Sequence, residues 1–175
     1  MKSKLSKIYT PYIILILTFI IPLINALQAQ ENEIKVPFFQ VTIKDGDSLE
    51  INSIRIRLYG IDAPEYNQTC KLSQTKTTPC GQDSKTYLKD LVKDKTITCT
   101  LHEKDQYQRH LATCYADDIN INQALVKNGY ALSYLSDTYS IEEKYAQKHK
   151  LGIWSTDFIH PRLFRQLKTP INHKK

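Results

Sequence analysis

A short alternating strand that ends at a glycine constrains the fold of this chain more than any other feature. In the stretch "RIRLYGIDAPE", residues 55–65, apolar and charged side chains alternate, so they lie on opposite faces of a β-strand. Arg57 is therefore predicted to point away from the apolar core. Gly60 ends the strand, and the next turn brings Asp62 and Glu65 within a few residues of Arg57. A guanidinium and two carboxylates at a strand end indicate a binding site.

The remaining pattern predicts a small sheet with helices packed against it. Five short segments between turn signals have strand character: 38–43, 49–51, 54–58, 96–101 and 110–116. Three segments have helical periodicity or helix caps: 83–94, 120–129 and 140–152. This order is typical of the α+β class, mainly β. Five strands of this length can curl into an OB-type β-barrel, here with about three packed α-helices.

The first 29 residues have the order of a secretory signal peptide. Three lysines without an acid precede the apolar run "YIILILTFIIPLINAL", and a polar stretch follows. We predict cleavage near Ala26 or Ala29 and export to a periplasm or the extracellular space. The alternative is an uncleaved membrane anchor, but the run from Ile13 to Leu23 is short for a span of roughly 20 residues, and Pro22 interrupts it.

The four cysteines suit an exported protein, because an even count behind a signal segment indicates disulfides. Four cysteines allow three pairings, and the most local one joins Cys70 to Cys80 and Cys99 to Cys114. The second pair lies almost symmetrically about the loop between two predicted strands, hence opposite each other across a hairpin. A zinc site is the alternative, although no pair has the usual spacing of about two to four residues.

Charge gives a weak expectation about partners. The full chain has 24 Lys and Arg against 18 Asp and Glu, a net charge of +6. Removal of residues 1–29 takes three lysines and no acid, so the mature chain carries 21 minus 18, or +3. This balance is compatible with a polyanionic partner but does not require one. Residues 30–160 are expected to form the folded domain. Residues 161–175, which include Arg162 and Arg165, are expected to form a loose, solvated basic tail.

Two acidic turns supply candidate metal ligands. The turn "DGD" contains Asp45 and Asp47, and "GIDAPE" contains Asp62, the Ala63 carbonyl and Glu65. Hard oxygen donors from two turns suit a hard divalent cation, and calcium best, because it accepts mixed carboxylate, carbonyl and water ligands. The simpler interpretation is that the aspartates only form turns.

Two arginines accompany these acids, Arg57 and Arg109. A guanidinium group can donate two parallel hydrogen bonds to phosphate oxygens, and it stays charged. Two such groups beside a cation and a carboxylate therefore indicate a phosphodiester site. Hydrolysis requires that the negative charge of the phosphate is neutralised and that a water molecule is held in line with the bond that breaks. Glu65 could position this water molecule. The simpler interpretation is that each arginine faces solvent.

Four motifs, in one order, resemble the staphylococcal nuclease (thermonuclease) family. They are "IKDGDSLEINSIRIRLYGIDAPE", "DQYQRHLATCYA", "INQALVKNGYAL" and "KLGIWS". Together they span essentially the whole mature chain, and the combination is specific. The resemblance implies an OB-type five-stranded barrel with three helices. It also implies an enzyme that cleaves DNA and RNA and leaves 3'-phosphate ends.

The resemblance further implies a role for each matching residue. Arg57 and Arg109 correspond to phosphate-binding catalytic arginines, and Glu65 to the catalytic carboxylate, a general base or an orienter of the attacking water. The implied calcium ligands are Asp47, Asp62 and the Ala63 backbone carbonyl, with Asp45 acting through water, and Tyr107 is implied to lie against the substrate.

Gln108 departs from the family pattern, which usually has glycine between the tyrosine and the arginine of this loop. If that position needs a positive φ, glutamine costs on the order of 1 kcal/mol and could redirect Arg109. The alternative hypothesis is therefore an inactive nucleic-acid-binding module on the same fold. A third is an unrelated secreted OB-type domain that binds oligosaccharide or protein. We expect a monomer without stable membrane association after cleavage.

Overall fold

A curled mixed β-sheet with helices against it forms the described part of the chain, residues 32–135 and 137–168 of this computed structural model. The predicted signal peptide, with Ala26 and Ala29, lies outside the described residues. The strands in chain order are β1 (Glu33–Pro37), β2 (Val41–Ile43), β3 (Ser48–Ile51), β4 (Ile54–Leu58), β5 (Ile61–Asp62), β6 (Cys70–Lys71), β7 (Thr77–Thr78), β8 (Thr96–Lys104), β9 (His110–Ala116), β10 (Ile119–Asn120) and β11 (Leu132–Ser133). The α-helices are α1 (Cys80–Val92), α2 (Ile121–Lys127), α3 (Ser140–His149) and α4 (Pro161–Lys168).

The main sheet has the strand order β1-β8-β9-β4-β3-β2, and β10 extends it beside β9. The pairs β2–β3, β3–β4 and β8–β9 are antiparallel, whereas β4 and β9 run parallel. Two small antiparallel pairs, β5 with β11 and β6 with β7, lie outside this sheet. The expected α+β class with a dominant sheet is confirmed.

The core forms where alternating strands meet the helices. Ile56 and Leu58 of β4 are 0% and 1% exposed, whereas Arg55 is exposed and Arg57 is half-buried, as the alternation predicts. Other fully buried core side chains include Leu49 and Ile51 of β3, Ile97 of β8, Leu88 of α1, and Ile121, Leu125 and Val126 of α2. The core therefore covers one face of β4 and leaves the other free to carry polar side chains.

Both predicted disulfides are present. Cys99 and Cys114 are register partners on β8 and β9, and Cys70 of β6 is joined to Cys80 at the start of α1. No cysteine is free. This excludes the zinc alternative for these residues, and two disulfides indicate an oxidising environment, outside the cell or in a periplasm.

The end of the chain differs from the expectation. Residues 161–175 were predicted as a loose tail, but residues 161–168 form α4. Proline suits the first position of a helix, and Pro161 is buried there. Residues 169–175 lie outside the described residues. Within residues 32–135 and 137–168, no helix combines the length and apolar character that crossing a bilayer requires.

Candidate active site

The sheet register brings the acidic turn beside Arg57. Ser48 of β3 is the register partner of Arg57 on β4, so the turn that precedes Ser48 lies against the arginine. The Arg57 guanidinium donates to Asp47, with Nη1 3.0 Å from Oδ1, and to Asp62, with Nη2 2.8 Å from Oδ1. Its side chain is only 15% exposed. The sequence predicts Asp62 and Glu65 beside Arg57, and the structure shows Asp47 and Asp62 in contact with it.

The two acidic turns contact each other directly. Asp45 closes the first turn, because its Oδ1 accepts from the Ser48 hydroxyl at 2.6 Å and from the Asp47 N–H at 3.2 Å. The second Asp47 oxygen accepts from the Ala63 N–H at 3.0 Å. A Cβ added to Gly46 would lie 2.8 Å from the Ala63 Cβ, so only glycine fits between the turns. Asp47 and Asp62 are thus held on the same side of the site, which we call the acidic wall.

Burial affects the protonation of this wall. Burial raises the pKa of Asp47 to about 7, although the neighbouring Arg57 charge acts in the opposite direction. Asp62 is fully buried and receives hydrogen bonds from two arginines. An isolated buried carboxylate would be strongly disfavoured, so each needs a cation nearby.

The second of these arginines, Arg165, comes from α4. Its Nη1 lies 2.9 Å from Asp62 Oδ1 and 2.8 Å from Glu65 Oε1, and its Nη2 lies 3.0 Å from Asp62 Oδ2. Burial lowers the pKa of Arg165, but the hydrogen bonds to Asp62 and Glu65 outweigh it and raise the pKa overall. The sequence interpretation had assigned this residue to solvent. The structure instead places it against two of the predicted site residues.

Gln68 connects the Glu65 turn to the segment before α4. Its side-chain oxygen accepts from the Glu65 N–H at 3.3 Å, and its Nε2 donates to the Ile159 carbonyl at 2.6 Å. Gln68 is 1% exposed. A buried glutamine in a polar loop has no sequence pattern that predicts it, and this contact joins segments 91 residues apart.

Arg109 belongs to a separate hydrogen-bonded loop. Asp105 accepts from the Arg109 Nε at 2.7 Å, the Arg109 N–H at 3.0 Å and the Tyr107 N–H at 2.8 Å. Burial raises the pKa of Asp105, but these hydrogen bonds outweigh it and lower the pKa overall. Tyr107 is 63% exposed, and the Arg109 guanidinium carbon lies 5.5 Å from its ring centroid. Gln108 has a φ of +62°, the left-handed conformation that the glycine of the family pattern would adopt without strain.

The sheet places the Arg109 loop next to Arg57 without joining their side chains. Arg57 pairs with Leu111 in the parallel β4–β9 register, and Arg109 lies two residues before that partner, just outside β9. Arg55 Nη2 donates to the Tyr107 carbonyl at 2.9 Å. Among the described residues, no hydrogen bond links Arg109 to Arg57 or Glu65.

The donor set has the chemistry of a site for a hard cation. Asp47, Asp62 and Glu65 together face Arg57 and Arg165, so three carboxylates meet two guanidinium groups and one negative charge is in excess when all are ionised. Residues 32–135 and 137–168 contain no group of three or more His, Cys, Asp or Glu side chains arranged to hold a metal ion. In this structure the two guanidinium groups contact the carboxylates, whose oxygens are donors of the hard type that calcium accepts.

Comparison with known proteins identifies the family. The sequence model described as "Staphylococcal nuclease homologue" matches residues 55–156, which include Arg57, Glu65 and Arg109. An "Uncharacterized endonuclease" of Haemophilus influenzae is 34% identical over 160 residues, covering 86% of this chain and 82% of the relative. The chain belongs to the staphylococcal nuclease family.

Two further relatives show the range of the family. An "Uncharacterized endonuclease" of Escherichia coli is 34% identical over 138 residues, 73% of this chain and 84% of the relative. The "Succinoglycan biosynthesis protein ExoI" of Rhizobium meliloti is 31% identical over 126 residues, 69% of this chain and 66% of the relative. Membership in the staphylococcal nuclease family makes this chain a nuclease hydrolase of the OB fold, with nucleic acid as the substrate class.

The family match ends at residue 156, before α4 begins. Arg165 therefore lies outside the residues that the family model matches. Pro161 and the helical spacing of Leu163 and Leu167 are a signal for α4, but no sequence pattern assigns Arg165 to partners that are 100 and 103 residues away.

Proposed function

We propose that this staphylococcal nuclease family member is an exported, calcium-dependent endonuclease that hydrolyses phosphodiester bonds of both DNA and RNA and leaves 3'-phosphate ends. The observation that carries the proposal is the cluster at the end of β4, where Arg57 contacts Asp47 and Asp62 and where Arg165 joins Asp62 to the partly exposed Glu65. Few folds need two buried carboxylates and an arginine at one strand end for stability alone.

The acidic wall would hold calcium. Asp47 and Asp62, with the Ala63 carbonyl, supply hard oxygen donors from adjacent turns, and Asp45 would contribute through a water molecule. When bound, calcium supplies positive charge against the negative charge that develops on the phosphate.

Arg57 and Arg109 would bind the phosphate oxygens from neighbouring strands, one on β4 and the other just before β9. Glu65 would accept a proton from the water molecule that attacks phosphorus, or hold that water in line. Cleavage of the bond to the 5' oxygen then leaves the phosphate on the 3' side. Tyr107 is exposed beside Arg109 and would provide a wall for the sugar or base.

Export would follow from a signal peptide over residues 1–29 that is cleaved near Ala26 or Ala29. The two disulfides support an oxidising destination, periplasmic or extracellular. We expect the mature domain, from residue 30 onward, to act as a monomer.

One observation favours a second candidate, a nucleic-acid-binding module without catalysis. Arg109 is held by Asp105, and Gln108 occupies a positive-φ position that suits glycine. If Asp105 keeps Arg109 away from the phosphate, the chain would bind nucleic acid without cleaving it.

Cleavage assays distinguish the two. The purified, oxidised mature chain is incubated with single-stranded DNA and with RNA, in calcium or in chelator, beside a Glu65→Gln variant. The nuclease proposal predicts calcium-dependent cleavage that the variant loses by about 100-fold to 10,000-fold. Salt-sensitive binding without cleavage in any divalent metal would contradict it and favour the binding module.

A further inference from the structure

The contact between α4 and the acidic wall suggests a control on metal loading. We infer that Arg165 is a tethered counter-cation, which a divalent metal ion must displace from Asp62 and Glu65 before the site can load. The inference rests on the metal site of the proposed function, but it concerns α4, which lies outside the family match.

The oxygens of Asp62 show why displacement is needed. Both are hydrogen-bonded to Arg165, at 2.9 Å and 3.0 Å, and the first also accepts from Arg57. Asp62 is fully buried, so water does not reach these oxygens. A metal ligated at these oxygens would lie within a few ångströms of the Arg165 guanidinium, where two positive charges repel strongly.

Glu65 is engaged by the same guanidinium. Arg165 Nη1 is shared between Asp62 Oδ1 and Glu65 Oε1. The carboxylate proposed to handle the attacking water is thus paired with an arginine instead of facing a phosphate. Displacement of Arg165 would release Glu65 and the second oxygen of Asp62 together, so metal entry and exposure of Glu65 become one event.

Arg165 is the arginine that can leave at the lower cost. Arg57 projects from a central strand and its side chain is 15% exposed, whereas the Arg165 side chain is 36% exposed. In α4 only Pro161 is buried, and Leu163 and Leu167 are 48% and 67% exposed. A helix with so little buried apolar surface opens more readily than the sheet.

The test measures calcium binding without substrate. Calorimetric titration of the mature, oxidised protein is compared with Arg165→Gln, which keeps a long polar side chain but removes the charge. The expected result is a Kd for calcium about tenfold lower in the variant, because the competing cation is gone. The matched control is Arg162→Gln on the same helix, which removes an equal charge from an exposed position. Its Kd should stay within about twofold of the parent.

Arg165→Lys guards against a folding failure of the glutamine variant, with circular dichroism as the check. Lysine keeps the charge but cannot bridge Asp62 and Glu65 as a fork, so its Kd should fall between those of the parent and Arg165→Gln. An unchanged Kd in a folded Arg165 variant overturns the inference, as do equal gains in the Arg162 control or calcium binding by none of the proteins. Tighter calcium binding without any cleavage would contradict the proposed nuclease and leave this inference standing.

Discussion

Arg57 and Arg109 are matched by the family pattern, yet the structure holds them in different ways. Arg57 lies on a central strand and contacts aspartates from two turns, Asp47 and Asp62. Arg109 contacts one aspartate of its own loop, Asp105, four residues away. The first contact is fixed by the sheet register, and the second by a local turn. A charge held by tertiary structure is preorganised, whereas one held by its own loop can be redirected without unfolding anything.

The largest expected effect is the loss of stability in the Arg57→Gln variant. Removal of the arginine leaves Asp47 and Asp62 buried with one fewer cation, so the free energy of unfolding should fall by about 3–5 kcal/mol. Urea denaturation in chelator measures it. A loss below about 1 kcal/mol would mean that the carboxylates reach water easily and that the wall is not preorganised.

Arg109→Gln should show the opposite profile. Because Asp105 keeps its two backbone donors when the Arg109 side chain is replaced, the free energy of unfolding should change by no more than about 1 kcal/mol. Cleavage under the proposed function should fall by about 100-fold to 1,000-fold, the usual cost of losing a charge-stabilising donor. Equal losses of stability in Arg57→Gln and Arg109→Gln would erase the contrast between the two arginines.

A smaller effect is expected from Gln108→Gly. The φ of +62° disfavours a side chain there, so glycine should raise the free energy of unfolding by up to about 1 kcal/mol. Thermal and urea unfolding measure this, with Gln106→Gly in the same loop as the control. A destabilised Gln108→Gly would show that the glutamine side chain contributes more than its backbone strain costs.

The smallest effect concerns pH. Hydrogen bonds lower the pKa of Asp105 in the folded state, so its contribution to stability is complete above the unfolded pKa, near 4, and is lost as pH falls through the folded value. Asp105→Asn should therefore flatten the decline in unfolding free energy between about pH 5 and pH 2, by less than about 1 kcal/mol. If unfolding free energy declines with pH equally in the parent and the variant, the Asp105 charge does not contribute to stability.

The part of the site that follows local rules was predictable. Alternation identified β4 and the face of Arg57, and the symmetric position of two cysteines about a loop identified their pairing across β8 and β9. The single predicted strand over 38–43 was less accurate, because a short 3₁₀ turn over residues 38–40 separates β1 from β2. Four helices are described where about three were expected.

Long-range polar contacts were not predictable. Arg165 and Gln68 reach partners 91 to 103 residues away, and no local pattern identifies those partners. Hydrophobic periodicity reports which face of an element is buried, but not which charged side chain from a distant helix fills a gap between carboxylates. The engagement of Arg109 by Asp105 is local, yet either charge in such a loop could equally face water.

The parallel pairing of β4 with β9 has a consequence for how the chain reaches its active form. Register partners Ile56 and His110 are separated by 110 minus 56, or 54, residues, and the connection between them contains α1 and β8. Closing so long a loop is entropically costly and slows folding relative to local hairpins. During synthesis, β4 with Arg57 therefore cannot pair with β9 until residue 116 has been made. Asp62 has no contact with Arg165 until α4 has been made.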